Sequence, residues 1–98
     1  MASLRFEWDE EKSHANERKH GLSFSEAKTL FQSGVDYLEI YDESHSADED
    51  RFIAIGPIER GMIVVVWTET LVGSIRIISA RWATKREEQR YRTYVRLN

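Results

Sequence analysis

The sequence has no cysteine, one proline, five glycines and three histidines in 98 residues. Without cysteine there is no disulfide, no thiolate nucleophile and no cysteine-ligated zinc. The longest apolar run, Met62 to Trp67, is far short of the roughly 20 residues that cross a bilayer. The opening MASLRFEWDEEK has no apolar run of a signal peptide. A cytoplasmic protein with no membrane partner is expected. No two histidines stand at metal-ligand spacing with a carboxylate, and the acidic loop DESHSADED at 42–50 lacks the glycine and terminal glutamate of a calcium loop. Glycine-rich phosphate loops and nucleophile elbows are also missing. No metal and no cofactor are expected.

What is present suits one small domain over residues 1–98. Hydrophobic residues make up 41% and charged residues 32%, enough for a modest core. The net charge of −3 hides an asymmetry. Residues 1–50 hold 5 Lys+Arg against 13 Asp+Glu, whereas residues 51–98 hold 9 against 4, and eight of those nine are arginine. Arginine presents a planar fork of donors that fits phosphate or carboxylate in two-point contact. The second half therefore suits an anionic partner: RNA, DNA or an acidic protein segment.

Alternation predicts a short strand over 4–8. Asp9 is a good N-cap, with Glu10 and Glu11 in the first turn, and Gly21 is a helix stop after His20. Ser23 and Glu26 have capping-box spacing, and Phe24, Ala27, Leu30 and Phe31 recur at helical spacing up to Ser33-Gly34. Strands are predicted over 37–41, 51–55, 62–68 and 74–82, with Gly56-Pro57 to Gly61 and Glu69 to Gly73 as turns. Thr84 and Glu87 repeat the capping-box spacing and start a C-terminal helix. The predicted class is α+β: a small antiparallel sheet with two N-terminal helices and one C-terminal helix, the helices mainly on one face.

The first helix is unusual. Between Asp9 and His20 its only apolar residue is Ala15. At about 100° per residue, Lys12, Ala15, Asn16 and Lys19 share one arc, with His20 at its edge. Such a helix either lies loosely on the surface or turns its polar face into a site. An imidazole such as that of His20 suits proton transfer, but a cation there also complements the helix dipole. His14 points away from this arc and His45 sits in the acidic loop. Arg76 and Arg81 lie at odd separation in one strand, so they face opposite ways unless a bulge intervenes. Arg76, between Ile75 and Ile77, needs an ion pair or a polar cleft. Arg81 lies near a helix N-terminus, where phosphate binds well. Exposed Tyr37, Tyr41 and Trp82 could anchor a protein interface. A cation-rich set with an imidazole and no metal suits phosphodiester cleavage by the neighbouring RNA 2′-hydroxyl.

The chain also resembles a known family. Phe6-Glu7-Trp8-Asp9, Lys12, Asn16, Lys19-His20-Gly21, Phe24 and Glu26-Ala27 carry its first part, and Asp50-Arg51-Phe52 with Ile55-Gly56 its middle. Its end is Arg76-Ile77-Ile78-Ser79-Ala80-Arg81, Ala83-Thr84, Glu87 and Tyr91. In this order they resemble the BrnT family of type II toxins, small ribonucleases with a RelE-like fold. The resemblance implies RNA cleavage, translation inhibition and a BrnA-type antitoxin that forms a hetero-oligomer with the toxin and reaches operator DNA on its behalf. Carried over by position, it implies His20, Arg51, Arg81 and Glu87 as catalytic residues, and Lys12, Lys19 and Arg76 as substrate-binding ones. His20 takes the proton-transfer role and the arginines take phosphate. The competing reading is a non-catalytic module, or a decayed toxin, whose arginine face binds an acidic protein segment or nucleic acid. A metal-dependent nuclease is disfavoured, since most carboxylates lie in the first half without a paired histidine.

Overall fold

The computed structural model describes residues 4–97. Residues 1–3 and 98, at the two ends of the expected domain, lie outside it. Asp9 caps the first helix as its sequence implies: its side chain accepts from the N–H groups of Glu11 (2.9 Å) and Lys12 (3.2 Å). The helix, α1 (Glu10–His20), stops at Gly21, whose φ of 70° is the left-handed conformation that closes a helix end. Ser23 caps the next turn through Glu26 N–H at 3.1 Å. One helix was expected from here to Ser33. Instead there are two short ones, α2 (Phe24–Ala27) and α3 (Thr29–Gln32). The Thr29 hydroxyl donates back to the Glu26 carbonyl at 2.7 Å, a local bond that competes with the helical ladder. Both halves still bury the predicted stripe of Phe24, Ala27, Leu30 and Phe31.

Five strands form one sheet in the order β1-β5-β4-β3-β2: β1 (Phe6–Glu7), β2 (Leu38–Tyr41), β3 (Phe52–Ile58), β4 (Gly61–Glu69) and β5 (Ile75–Trp82). A three-residue 3-10 turn, Glu43–His45, follows β2. The meander β2-β3-β4-β5 is antiparallel, as short connections dictate. β1 pairs parallel with β5, Phe6 beside Ile75 and Glu7 beside Arg76. The sheet is therefore mixed, not wholly antiparallel: the first strand docks beside the last, and nearly the whole chain forms the crossover. Gly56-Pro57, expected in a turn, continues β3. The pairing of β2 ends at Leu38 opposite Ile55, so past that point β3 is an edge that needs no N–H on its outer side.

α1, α2 and α3 cover one face. Ala54, Val65, Trp67, Ile77 and Ala80 point toward it and pack with Leu22, Phe24, Leu30 and Phe31. The last helix, α4 (Lys85–Leu97), crosses the other face over β2 and β3. There it buries Ile55 and Val64, and Tyr91 donates to the Asp36 carbonyl at 2.8 Å. The helices thus divide between the two faces, and on the α4 face the β5 residues Arg76, Ser79 and Arg81 stay partly or fully exposed.

α1 lies on the surface, as one of the two expectations has it, but it is not loosely held. Its only buried residue is Ser13, whose hydroxyl accepts from Phe24 N–H at 3.0 Å. The Asn16 amide donates to the carbonyls of Leu22 (2.7 Å) and Ala80 (2.8 Å), and its oxygen accepts from Ala80 N–H at 3.3 Å. The Trp82 indole donates to the His20 carbonyl at 2.7 Å. The helix is fixed to β5 by polar bonds to backbone in place of apolar contact.

Candidate nucleic-acid interface

The decisive local feature is a bulge in β5. Val66 pairs with Ser79, but Trp67 pairs with Ile77, so Ile78 has no partner on β4. One extra residue reverses the alternation beyond it. Arg76 lies opposite Thr68 and Arg81 opposite Val64, two positions of like parity on β4. Both arginines therefore project on the face away from α1. Without the bulge their odd spacing would have divided them, as alternation alone predicts.

The register arranges this face in rows. Leu38, Ile55, Val64 and Arg81 form one, and Ile40, Ile53, Val66 and Ser79 the next. A third contains Thr68, Arg76 and, on the parallel strand, Glu7. The β3 register extended by one residue adds Arg51 opposite Thr68, and Asp42 N–H donates to the Arg51 carbonyl at 2.8 Å, which continues the β2 pairing. Arg51 and Arg76 thus flank one strand, with Cα atoms roughly 10 Å apart by strand spacing. Arg81 stands two rows away along β5.

Each arginine is held differently. Arg81 binds Glu87 in a fork, Nη1 to Oε1 and Nη2 to Oε2, both at 2.8 Å. That end-on contact leaves the Nε–H and the outer Nη2–H free as a second fork. Glu87 also closes the capping box, accepting from Thr84 N–H at 2.9 Å while Thr84 Oγ1 accepts from Glu87 N–H at 3.2 Å. These bonds, the Arg81 one foremost, hold the Glu87 carboxyl at about 2, against an ordinary 4.5, despite its partial burial. Arg76 makes one contact to Glu7 at 3.1 Å, with both side chains nearly half exposed, a pair of little energetic weight. The Nε of Arg51 is buried with no hydrogen-bond partner, and the nearest paired carboxylate, Glu49, stands at 3.8 Å.

The remaining expected site residues lie elsewhere. Lys12 and Lys19 are exposed on α1, and His20 is half-buried at its end beside Trp82. Trp82 pairs with core residue Ile63 and packs against the helix-covered core, whereas Arg81 points the other way. The sheet separates His20 from the three arginines. Of the expected aromatic anchors, Tyr37 and Trp82 pack on the core and only Tyr41 is well exposed. Arg60, which no pattern singled out, is a structural cation. It binds Glu26 at 2.6 Å through both Nε and Nη2, reaches the Gly21 carbonyl at 2.7 Å, and lies 5.1 Å over the Trp82 ring. It sits in a two-residue turn, where hydrophobic periodicity has nothing to report. Among the described residues no group of three or more His, Asp or Glu is placed to hold a metal ion.

The Glu87 shift has a measurable consequence. A carboxyl held below its unfolded value adds stability above about pH 4.5, and that stability is lost as pH falls toward 2. The contribution is about 2 kcal/mol once solvent around half-exposed Arg81 is allowed for. Wild type is expected to lose stability more steeply than Glu87→Gln between those pH values. Urea unfolding at a series of pH values measures this, and parallel curves would refute it.

A small α+β fold with arginines gathered on one uncovered sheet face fits a protein that grips a phosphate backbone. The family model for a ribonuclease toxin, BrnT, of type II toxin–antitoxin systems matches residues 8–87. The chain belongs to the BrnT family and is a ribonuclease toxin of that class. Among solved structures it is similar to the ribonuclease toxin BrnT of Brucella abortus, at 27% identity and a TM-score of 0.63, over 85% of this chain and 100% of that one. No curated protein matches it.

Proposed function

We propose that residues 1–98 act as one toxin domain that cleaves RNA without a metal ion on the uncovered sheet face. The observation that carries this reading is the Ile78 bulge, which gathers Arg76 and Arg81 on the face that Arg51 borders. In the reaction the ribose 2′-hydroxyl attacks the adjacent phosphorus and the P–O5′ bond breaks. The products are a 2′,3′-cyclic phosphate and a 5′-hydroxyl end. Negative charge grows on the phosphate oxygens, and preorganised cations stabilise it there. Arg51, whose Nε–H makes no hydrogen bond and faces Glu49 at 3.8 Å, and Arg81, with a free fork, hold the phosphate, and Arg76 exchanges its weak contact to Glu7 for one to RNA. Glu87 fixes Arg81; a carboxyl that titrates at about 2 is a poor base near neutrality. Lys12, Lys19 and His20 meet RNA only where it passes the end of the sheet. A BrnA-type antitoxin in the cytoplasm covers the arginine face and brings operator DNA to the complex.

A specific observation favours a second reading. Arg76 and Arg81 already carry carboxylate partners, as they would in a non-catalytic module that binds an acidic segment. Incubation of the purified protein with single-stranded RNA, with and without EDTA, separates the two. Cleavage that survives EDTA and leaves cyclic-phosphate ends is expected. Loss of cleavage in EDTA would overturn metal independence. Binding without cleavage would favour the module.

A further inference from the structure

The arginine face has cations but, with Glu87 committed to Arg81 and His20 behind the sheet, it needs a group that takes the 2′-hydroxyl proton. One imidazole stands beside it. Directly after β2 the chain makes its 3-10 turn, and His45 at the end of that turn folds back on Asp42. Its Nδ1 lies 3.0 Å from Asp42 Oδ2, and Ser44 Oγ lies 3.0 Å from Asp42 Oδ1. A carboxylate on Nδ1 fixes the tautomer and leaves Nε2 as the basic nitrogen. His45 also lines a pocket of about 240 Å³ with Arg51, Asp48 and Glu49. The imidazole is well exposed, at 68%, whereas its partner Asp42 is mostly buried, at 14%. That contrast is the usual division between a reacting group and the group that orients it.

We propose that His45 is the general base of RNA cleavage, with Asp42 as its positioning residue and Arg51 as the adjacent phosphate ligand. The inference rests on RNA binding at the arginine face. Nε2 takes the proton of the 2′-hydroxyl, the oxygen forms its bond to phosphorus, and the P–O5′ bond breaks. The departing 5′ oxygen takes a proton from water. The buried Nε–H of Arg51, which makes no hydrogen bond and faces Glu49 at 3.8 Å, gains an acceptor when a phosphate oxygen arrives. Asp48 and Glu49 line the same pocket and repel a second phosphate, which suits it to the neutral ribose hydroxyl. Burial works to raise the Asp42 carboxyl, yet the bonds from His45 and Ser44 outweigh it and keep it below its ordinary value. The carboxylate therefore stays charged through the neutral range. The charged groups that bear on the imidazole are Asp42 and Glu43 on its own turn, and Asp48, Glu49 and Arg51 across the pocket.

The test uses the full chain, with cleavage and RNA binding measured separately on one labelled single strand. His45→Gln and His45→Ala are expected to cut cleavage by about 10²–10⁴-fold, to leave binding within about twofold, and to lose the acid limb of the pH–rate profile. Added imidazole is expected to restore part of the His45→Ala activity, which no loss of folding would allow. Asp42→Asn is expected to lower the rate by about tenfold, the low end for a group acting through the base, and to shift that limb. Full cleavage by His45→Gln, while Arg76→Ala and Arg81→Ala bind RNA poorly, would overturn the role of His45 and leave the arginine face intact. Unchanged RNA binding by those arginine variants would overturn the face itself, and this inference with it. Loss of cleavage in His20→Ala but not in His45→Ala would place the base on α1 instead.

Discussion

Asn16→Ala is expected to destabilise the protein by about 3 kcal/mol, a large share of the 5–15 kcal/mol that holds a typical domain folded. The substitution removes three hydrogen bonds at 2.7, 2.8 and 3.3 Å and leaves their partners on Leu22 and Ala80 behind. A buried backbone group without a partner costs about 1–3 kcal/mol, more than the net worth of the bond it lost. Water will reach some of these groups, since Asn16 is only half-buried, so the sum stays near the lower end. The effect is large because α1 has little else to hold it: Ala15, its sole alanine, is exposed, and Ser13 alone is buried. Asn16→Asp is the sharper control. It keeps the shape but turns an acidic oxygen toward the two carbonyls that the amide had served, and should cost at least as much. Urea unfolding measures both. Amide exchange should show α1 opening before the β3–β4–β5 sheet. A loss below about 0.5 kcal/mol for both variants, the scatter of ordinary surface changes, would mean that α1 is held by something else.

Asn16 also marks the limit of what sequence pattern discloses. Helix ends were legible because capping is local: Asp9, Gly21, Ser23 and the reciprocal Thr84–Glu87 box all act within four residues. The five strands were legible from alternation and apolar runs. The partner of β1 was not, because pairing across the chain leaves no local trace. Nor was the docking of α1, since an amide that binds strand backbone looks the same in sequence as one that faces water. The bulge had one faint signal, the consecutive Ile77-Ile78 inside RIISAR, which breaks strict alternation. A strand apolar on both faces reads alike with or without it, so the common face of Arg76 and Arg81 emerged only with the register. The same holds for His45. Its loop reads as an acidic surface, and only the fold sets that loop beside Arg51.

The largest functional effect is expected from those arginines. Arg76→Ala and Arg81→Ala should each lower RNA cleavage by about 10²–10³-fold, the usual loss when one donor to a developing anionic charge is removed. Each should also flatten the dependence of RNA binding on salt by about 0.7 in log–log slope per lost phosphate contact. The two variants should differ in stability, which separates binding from scaffolding. Arg76 makes one half-exposed contact to Glu7, so its loss should cost less than about 1 kcal/mol. Arg81 organises Glu87, which in turn caps α4; its loss should cost more and raise the titration of Glu87 toward its ordinary value. Arg81→Lys preserves charge but cannot hold Glu87 in a fork while offering a second fork to phosphate. It should therefore recover the salt dependence and little of the cleavage. If Arg81→Lys cleaved like wild type, Arg81 would be acting only as a point charge. If neither alanine variant changed cleavage or salt slope, the shared face created by the bulge would belong to a protein partner, and RNA would meet the toxin elsewhere.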